Sequence, residues 1–511
     1  MYLLKSIFFN IAFTLMLLEG INCEVDPQKC VVWGPGLHPE RIVLPARYFF
    51  ISTVDSNGVP FSKSPGNIFS VHITGTSKLS NKCSTWMNIL DRKDGTFIVR
   101  YKMYHACENL KIQIKYNKMD VADSPYVIPG PVYPEHCYCP EKNFENWQES
   151  YGCKRKYRQI EEDLKHFTSV NFSFVQEMVL SKFNNPRSTS ICHYIVRENK
   201  VFRNCYGQHV GFKMFMDEIL LSLSRKVELP DVEMFVNLGD WPLIKNSDAN
   251  PLPMFSWCGS DDTLDIVMPT YDITESTLEC MGRVTLDMLS VQGNIDKSWN
   301  EKLEKAFWRG RDSRIERLKL IEIAREHPEL FNASMTNFFF FREEMEKYGP
   351  KEQHVSFFKF FDYKYQVNID GTVAAYRFPY LLAGDSLVLK QESKYYEHFY
   401  KELEPWKHYI PFKRDLSDLV EQVLWAKGND EKAKQIAAAA QTFARENLLP
   451  QDIICYHALL FKEWSKRLSE PVKILDGMDH VPQPSKDSPH KQCSCHRQFQ
   501  NINSHKEKDE L

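Results

Sequence analysis

The chain has no Asp-x-Asp triplet, no G-x-G-x-x-G and no G-x-x-x-x-G-K-[ST] anywhere in its 511 residues. The first absence removes the carboxylate pair that commonly holds a divalent ion against a sugar diphosphate, and the other two leave a dinucleotide dehydrogenase or a P-loop NTPase unsupported. Excess charge is also missing: 64 Lys and Arg stand against 67 Asp and Glu, so the chain as a whole is not basic and nucleic acid is disfavoured as a partner. Fourteen cysteines are too few for a small disulfide scaffold. Cys137-Tyr-Cys139 has neither the spacing nor the second pair of a zinc site, so no metal is expected. Beyond residue 23 no apolar run is long enough to cross a bilayer, and no membrane insertion is expected.

The two ends carry targeting signals. Lys5 followed by "IFFNIAFTLMLL" has the length of a secretory signal core, which places residues 1–23 as a signal peptide. Lys508-Asp509-Glu510-Leu511 reads as a retrieval address bound by the KDEL receptor, so residence in the lumen of the endoplasmic reticulum is expected. There the cysteines should pair, and the acceptors Asn171-Phe-Ser173 and Asn332-Ala-Ser334 should be glycosylated on exposed surface.

Residues 24–133 read as strands. "RYFFISTV", "FSVHITG", "TFIVRYKMY" and "LKIQIKYN" are rich in β-branched and aromatic residues with partial alternation, and Asn57-Gly58 and Asp94-Gly95 suit tight turns. An all-β immunoglobulin-like sandwich follows. "PGPVYPEHCYCP", Pro129 to Pro140, breaks any ladder and suggests two separately folded units. From 137 to 480, helical stretches such as "WQESYGCKRKYRQIEEDLKHF" alternate with apolar strands such as "VEMFVNL" and "DSLVLK", which predicts two α/β lobes with largely parallel sheets and a cleft between them. Glu431 to Leu468 reads as one long packing helix. Residues 481–511, polar and proline-bearing, read as a flexible tail.

Three segments carry chemistry. In "AFWRGRDSRIERLKLI", Arg309, Arg311, Arg314 and Arg317 fall within nine residues. Ser313 and Glu316 form a capping box that predicts a helix from Ser313, with Arg309 and Arg311 in the loop before it, a place that favours a phosphate. The bland alternative is a solvated basic face paired with Asp312, Glu316 and Glu322. In "NIDGTVAAYRFPYLLAGDSLVLK", a turn at Gly371-Thr372 enters a short helix that Pro379 should end early, with small residues allowing close approach to a pyrophosphate. In "EMFVNLGDWPLIKN", a strand over Glu233 to Leu238 places Asp240 at its carboxyl end, where clefts open. Asp240 then serves as a base or merely caps a turn.

Taken in this order, "NLGDWP", "FWRGRDSRIER", "DGTVAAYRFPYLLAGDSLVLK" and "LEPWKHYIPFKRDLSDL" resemble the glycosyltransferase domain of the Rumi-type, capsule-associated protein O-glucosyltransferases. "GPGL", "DGTFIVRY" and "SPYVI" resemble a filamin-type repeat, the combination found in the family's KDEL-bearing members. The resemblance implies a GT-B-like transferase of two Rossmann-like lobes that inverts the anomeric carbon, moving glucose from UDP-glucose to a serine of EGF-like repeats on secreted or membrane proteins, with no cofactor. Asp240 falls on the family's base. Arg309, Gly310, Arg311 and Arg317, with Thr372, Val373, Ala374, Ala375, Tyr376 and Arg377, fall on the donor-binding segments. Arg311 and "CYGQHVGF" from Cys205 depart from the best-known branch, which leaves UDP-xylose as an alternative donor and a non-catalytic client-binding protein as an alternative role. The pairing of the cysteines is not readable from the sequence; a bridge from Cys137 or Cys139 to Cys455 would tie the start of the domain to its end.

Overall fold

A computed structural model describes residues 24–78, 81–185, 190–278, 288–484 and 493. The proposed signal peptide and the terminal Lys-Asp-Glu-Leu lie outside these residues.

The amino-terminal strands are β1 (Val31–Trp33), β2 (Arg47–Ser52), β3 (Phe69–Thr76), β4 (Thr85–Asp91), β5 (Thr96–Met103), β6 (Glu108–Tyr116), β7 (Met119–Asp120) and β8 (Tyr126–Ile128). They form two antiparallel sheets, one ordered β1-β2-β5-β4 and the other built from β3, β6, β7 and β8. Gly58 and Gly95 take φ of +79° and +85° at their turns, the left-handed region that glycine enters without a Cβ penalty. On β6 the period of two is regular: Leu110, Ile112, Ile114 and Tyr116 all point inward.

β2 and β5 break that rule for a physical reason. Phe49, Ile51, Phe97, Val99 and Tyr101 fill the sandwich interior, while the alternate residues Tyr48, Phe50 and Ile98 join the main core of the rest of the chain, together with Ile42 and Leu44. A strand apolar on both faces must be covered on both. Arg100 on this outer face donates to Ser290 Oγ at 3.1 Å, Tyr151 donates to the Val43 carbonyl at 3.3 Å, and Arg445 pairs with Asp94 at 2.9 Å. The two units are thus joined by more than a linker: the sheet β1-β2-β5-β4 is a middle layer between two cores.

The remaining strands are β9 (Ile191–Arg197), β10 (Lys200–Tyr206), β11 (Val232–Asn237), β12 (Phe255–Ser256), β13 (Gly259–Ser260), β14 (Ile266–Val267), β15 (Leu303–Arg311), β16 (Phe331–Asn337), β17 (Tyr363–Asn368), β18 (Leu387–Gln391), β19 (Tyr395–Tyr396), β20 (Ile410–Phe412) and β21 (Asp479–Val481). One six-stranded sheet runs β14-β12-β11-β9-β10-β21. It is mixed rather than largely parallel, because β9 and β10 form a hairpin and β9 meets β11 antiparallel. The hairpin turn is Glu198-Asn199, both left-handed at φ 50° and 59°. That is the primed two-residue geometry that matches strand twist. The second sheet, β16-β15-β17-β18-β20, is parallel throughout, so the carboxyl ends of its strands open on one side.

Several expected elements are divided. The helical stretch at 147–167 is split into Phe144–Ser150 and Arg158–Leu164, since Gly152 turns the chain at φ +73° and Cys153 is bonded to Cys455. The long helix at 431–468 is two helices, Asp430–Asn447 and Pro450–Ser465; Pro450 cannot continue the first and sits in the first turn of the second. Cys137 pairs with Cys493 rather than Cys455, and β21 pairs with β10, so the start of the tail is held in the sheet and again at Cys493. Among the described residues no helix is long and apolar enough to cross a membrane.

Candidate active site

Asp240 stands on the bend after β11, and the bend is built by its neighbours. Asn237, fully buried, accepts from the Gly239 amide at 2.9 Å and donates to the Trp241 carbonyl at 2.7 Å and to Ser256 Oγ at 3.1 Å. Ser256 donates in turn to Asp265 at 2.6 Å, and Asp265 also accepts from the amides of Leu243 and Ile244. The side chain of the strand's last residue thus replaces the ladder hydrogen bonds that the bend gives up. Burial raises the Asp240 carboxyl above its usual range, opposed by a hydrogen bond from Tyr271 and by the charge of Arg311.

Asp240 lines a cavity of about 670 Å³ whose walls include Arg309 to Arg311, Arg317, Gly371 to Arg377, Tyr271 and Asp272. The arginine segment differs locally from expectation. Arg309 and Arg311 are the last residues of β15 and not a loop, the following helix spans Ile315–Glu326, and its first turn has no side-chain cap. Ser313 instead accepts from Arg317 at 3.3 Å. Asp312 is not a surface partner of the arginines: fully buried, it accepts from the amides of Phe339, Phe340 and Phe341 at 2.7, 2.9 and 2.6 Å. This fixes the ring of Phe339, over which the Arg311 guanidinium lies at 5.9 Å.

The arginines divide by what their guanidinium groups touch. The Arg309 guanidinium is engaged by Asn332, donating to its carbonyl at 3.0 Å and its side-chain oxygen at 2.8 Å. Asn332 is half-buried within β16, its nitrogen donating to Tyr363 at 2.7 Å, and so is not on exposed surface as expected; Asn171 is exposed, its nitrogen donating to Glu470 at 2.8 Å. Arg317 is buried and donates to the carbonyls of Asp370 at 2.7 Å, Arg311 at 2.9 Å and Ile369 at 3.2 Å, which makes it the strut between β15 and the 370s turn. Arg314 holds the same turn through the Gly371 and Thr372 carbonyls at 2.5 and 2.9 Å. Arg377 donates once, to the Arg309 carbonyl at 2.6 Å, and the side chain of Arg311 makes no hydrogen bond among the described residues. Burial holds Arg317 down at about 9, with Arg377, Arg311 and Arg314 adding repulsion, and it holds Arg377 down at about 10. Cations gathered against their own repulsion are the signature of an anion site.

The turn at 371–377 is not yet helix. The helix spans Phe378–Ala383 with Pro379 in its first turn, so that proline starts the helix instead of ending it. Val373, Ala374 and Tyr376 pack on Cys258 and Tyr395, and no hydrogen bond among the described residues uses the backbone N–H groups of Thr372 to Arg377. A run of free amides beside cations is an anion cradle. Asp272 was absent from the sequence expectations. It follows β14, which is parallel to β12 and β11, so the rule that marks Asp240 at a strand's carboxyl end marks this second carboxylate too. Burial raises it to about 7, with Glu275 and Asp240 adding and Arg377 opposing.

The two sheets thus bring carboxylates, arginines and free amides to one cavity. The model of glycosyl transferase family 90 matches residues 148–509, and that of the filamin/ABP280 repeat matches residues 24–127. The chain is 53% identical over 461 residues to protein O-glucosyltransferase 2 of Danio rerio, covering 90% of this chain and 91% of that one. It is 48% identical over 501 residues to protein O-glucosyltransferase 3 of Homo sapiens, covering 96% and 97%. Identity to protein O-glucosyltransferase 1 of Homo sapiens is 30% over 356 residues, covering 66% and 88%. The chain belongs to glycosyl transferase family 90, with a filamin repeat at its amino end.

Proposed function

We propose that the cavity binds UDP-glucose and transfers glucose, with inversion, to a serine hydroxyl of a folded EGF-like repeat. The observation that carries this reading is the meeting of Asp240, two under-used guanidinium groups at Arg311 and Arg377, and the free amides of Thr372 to Arg377 in one cavity. Asp240 takes the serine proton as the serine oxygen bonds to C1, and the bond from C1 to the phosphate oxygen breaks with its electron pair leaving on UDP. Arg311, Arg377 and the amide cradle meet the charge that grows on the departing diphosphate, a larger gain in the transition state than in the ground state. One displacement at C1 inverts its configuration. On this reading the two sheets belong to the two lobes of a GT-B-like fold, and the arginines stand where other transferases use a metal. Among the described residues one tight group of possible metal ligands occurs, His136, Cys137 and Cys493, and its two thiols are spent in a disulfide.

Residence in the endoplasmic reticulum is part of the same proposal. It is supported by the terminal signals and by the disulfides Cys83–Cys107, Cys137–Cys493, Cys153–Cys455 and Cys192–Cys205, which an oxidising compartment sustains. The test is to incubate the purified protein with a folded EGF repeat and either UDP-glucose or UDP-xylose, then weigh the product. A hexose adduct on serine is expected; a pentose adduct would reassign the donor, and no adduct with either would remove the catalytic reading.

A further inference from the structure

Among the described residues Asp272 has no hydrogen bond or ion pair for its carboxyl group, although the cavity it lines holds Arg309, Arg311, Arg317 and Arg377. It lies in the first turn of the helix Tyr271–Leu278, yet its side chain makes no hydrogen bond among the described residues. The helix start is managed by other groups: the Thr270 carbonyl accepts from the Thr274 amide at 3.0 Å, and the Asp272 carbonyl accepts from Tyr380 at 3.1 Å. A recessed carboxylate left open toward a ligand cavity costs folding free energy unless the ligand satisfies it. Burial, with repulsion from Glu275 and Asp240, does raise its proton affinity, and Arg377 opposes this.

The position says which part of a ligand it meets. The diphosphate belongs with Arg311, Arg377 and the free amides, and a carboxylate repels phosphate oxygens. Asp240 belongs with the incoming hydroxyl, because its neighbour Trp241 is 54% exposed and so marks the open side. Asp272 lies on the inner side, its backbone pinned by the buried Tyr380 and its charge felt by both Arg377 and Asp240. What remains of a nucleoside diphosphate sugar between those two groups is the sugar ring, whose hydroxyls are donors.

We propose that the Asp272 carboxylate accepts hydrogen bonds from hydroxyls of the donor sugar and is the residue that makes the cavity prefer a UDP-hexose to UDP alone. This rests on the UDP-sugar reading above and adds a sugar-selecting residue to it. The chemistry requires no bond to Asp272 and no proton from it, so its loss should raise KM for the sugar donor with a smaller effect on kcat.

The experiment is calorimetry of the full chain with UDP and, separately, UDP-glucose, for the wild type, Asp272→Asn and Asp272→Ala, each with its melting temperature. Asp272→Ala should keep UDP affinity within about twofold and lose about ten- to a hundredfold in UDP-glucose affinity, the range for a charge-assisted hydrogen bond. Asp272→Asn, which keeps the shape and one acceptor oxygen, should fall between and serves as the test if the alanine variant does not fold. Equal losses for UDP and UDP-glucose, or no loss for either, would overturn the proposal while leaving the transferase reading intact. A wild type that binds neither UDP nor UDP-glucose would overturn the transferase reading itself.

Discussion

Tyr271 donates its phenolic hydrogen to Asp240 Oδ1 at 3.3 Å, joining the bend after β11 to the first turn of the helix Tyr271–Leu278. The bond favours the ionised carboxylate, against the burial that disfavours it. A base must be ionised to accept a proton, so activity should fall as pH drops through the raised value. Tyr271→Phe removes a lowering influence and should move the acid limb of kcat/KM to higher pH. Asp240→Asn should lose about 10² to 10⁴ in rate with UDP affinity unchanged. An acid limb that stays in place in Tyr271→Phe would separate the phenol from the base.

The arginines should sort into two behaviours. Arg311→Ala and Arg377→Ala should weaken UDP-glucose binding by roughly 1.5 to 3 kcal/mol each, with lysine restoring little because a point charge cannot make paired contacts. Arg317→Ala strips donors from two buried carbonyls and a part-buried one and should cost stability first, about 2 to 4 kcal/mol. Thermal melts beside calorimetry decide this; an Arg317→Ala protein with native melting temperature and no UDP binding would place Arg317 on the donor instead.

Chelation should leave transfer intact, because arginines and amides carry the role assigned elsewhere to a cation. Loss of activity in EDTA with recovery on adding manganese would contradict that assignment.

A Cβ placed on Gly293 would stand 2.4 Å from Leu90 Cβ, at the seam between the sandwich and the helix Met288–Gly293. Gly293→Val should therefore destabilise the whole chain by about 1 to 3 kcal/mol, the usual cost of overpacking. Removing residues 24–133 should yield an aggregating protein, since it uncovers the core that Tyr48, Phe50 and Ile98 complete. A monomeric, active truncated protein would show that the seam is dispensable.

Asp163 is buried, accepts from the Val267 amide at 2.9 Å and from Gln159 at 2.7 Å, and is raised to about 7 chiefly by burial. A carboxyl whose folded value lies above its unfolded value contributes stability below the unfolded value that is lost as pH rises through the folded one. The window here runs from about 4 to about 7, at most about 1.4 kcal/mol for each pH unit crossed. Asp163→Asn cannot ionise, so its stability relative to wild type should improve between pH 4 and pH 7 in denaturant melts. A constant difference across that range would mean that Asp163 stays charged.

Much of the architecture is legible in the sequence because it follows from local rules. Four of the sandwich strands lie where β-branched and aromatic runs place them, β11 and β18 coincide with "VEMFVNL" and "DSLVLK", and Asp240 lies at a strand end. What escapes depends on partners distant in sequence. Phe50 and Ile98 read as imperfect alternation until their second cover is seen. Glu198-Asn199 lacks the glycine that signals a hairpin. The break at Gly152 is reinforced by a disulfide to Cys455, 302 residues away. Ser313 and Glu316 satisfy a capping pattern, yet Arg317 takes the Ser313 hydroxyl. Asp272 has no motif of its own and becomes visible once β14 is known to run parallel to β11.

The middle-layer sheet has a consequence for how the chain is made. A polypeptide emerges amino end first, so the sandwich can close its interior once Ile128 is out. Its outer face begins to be covered on β4 and β5, beside Ile98, when Met288 to Gly293 arrive about 160 residues later, and Tyr48 on β2 waits further for Gln451 and Asp452. At a synthesis rate of about 5–20 residues per second, that leaves an apolar sheet open to its surroundings for roughly 8 to 30 seconds. Cys137 waits longer, for a partner 356 residues behind it. The first part to fold is thus among the last to be buried, and nascent chains caught in that interval should be found on holdase chaperones through the sandwich.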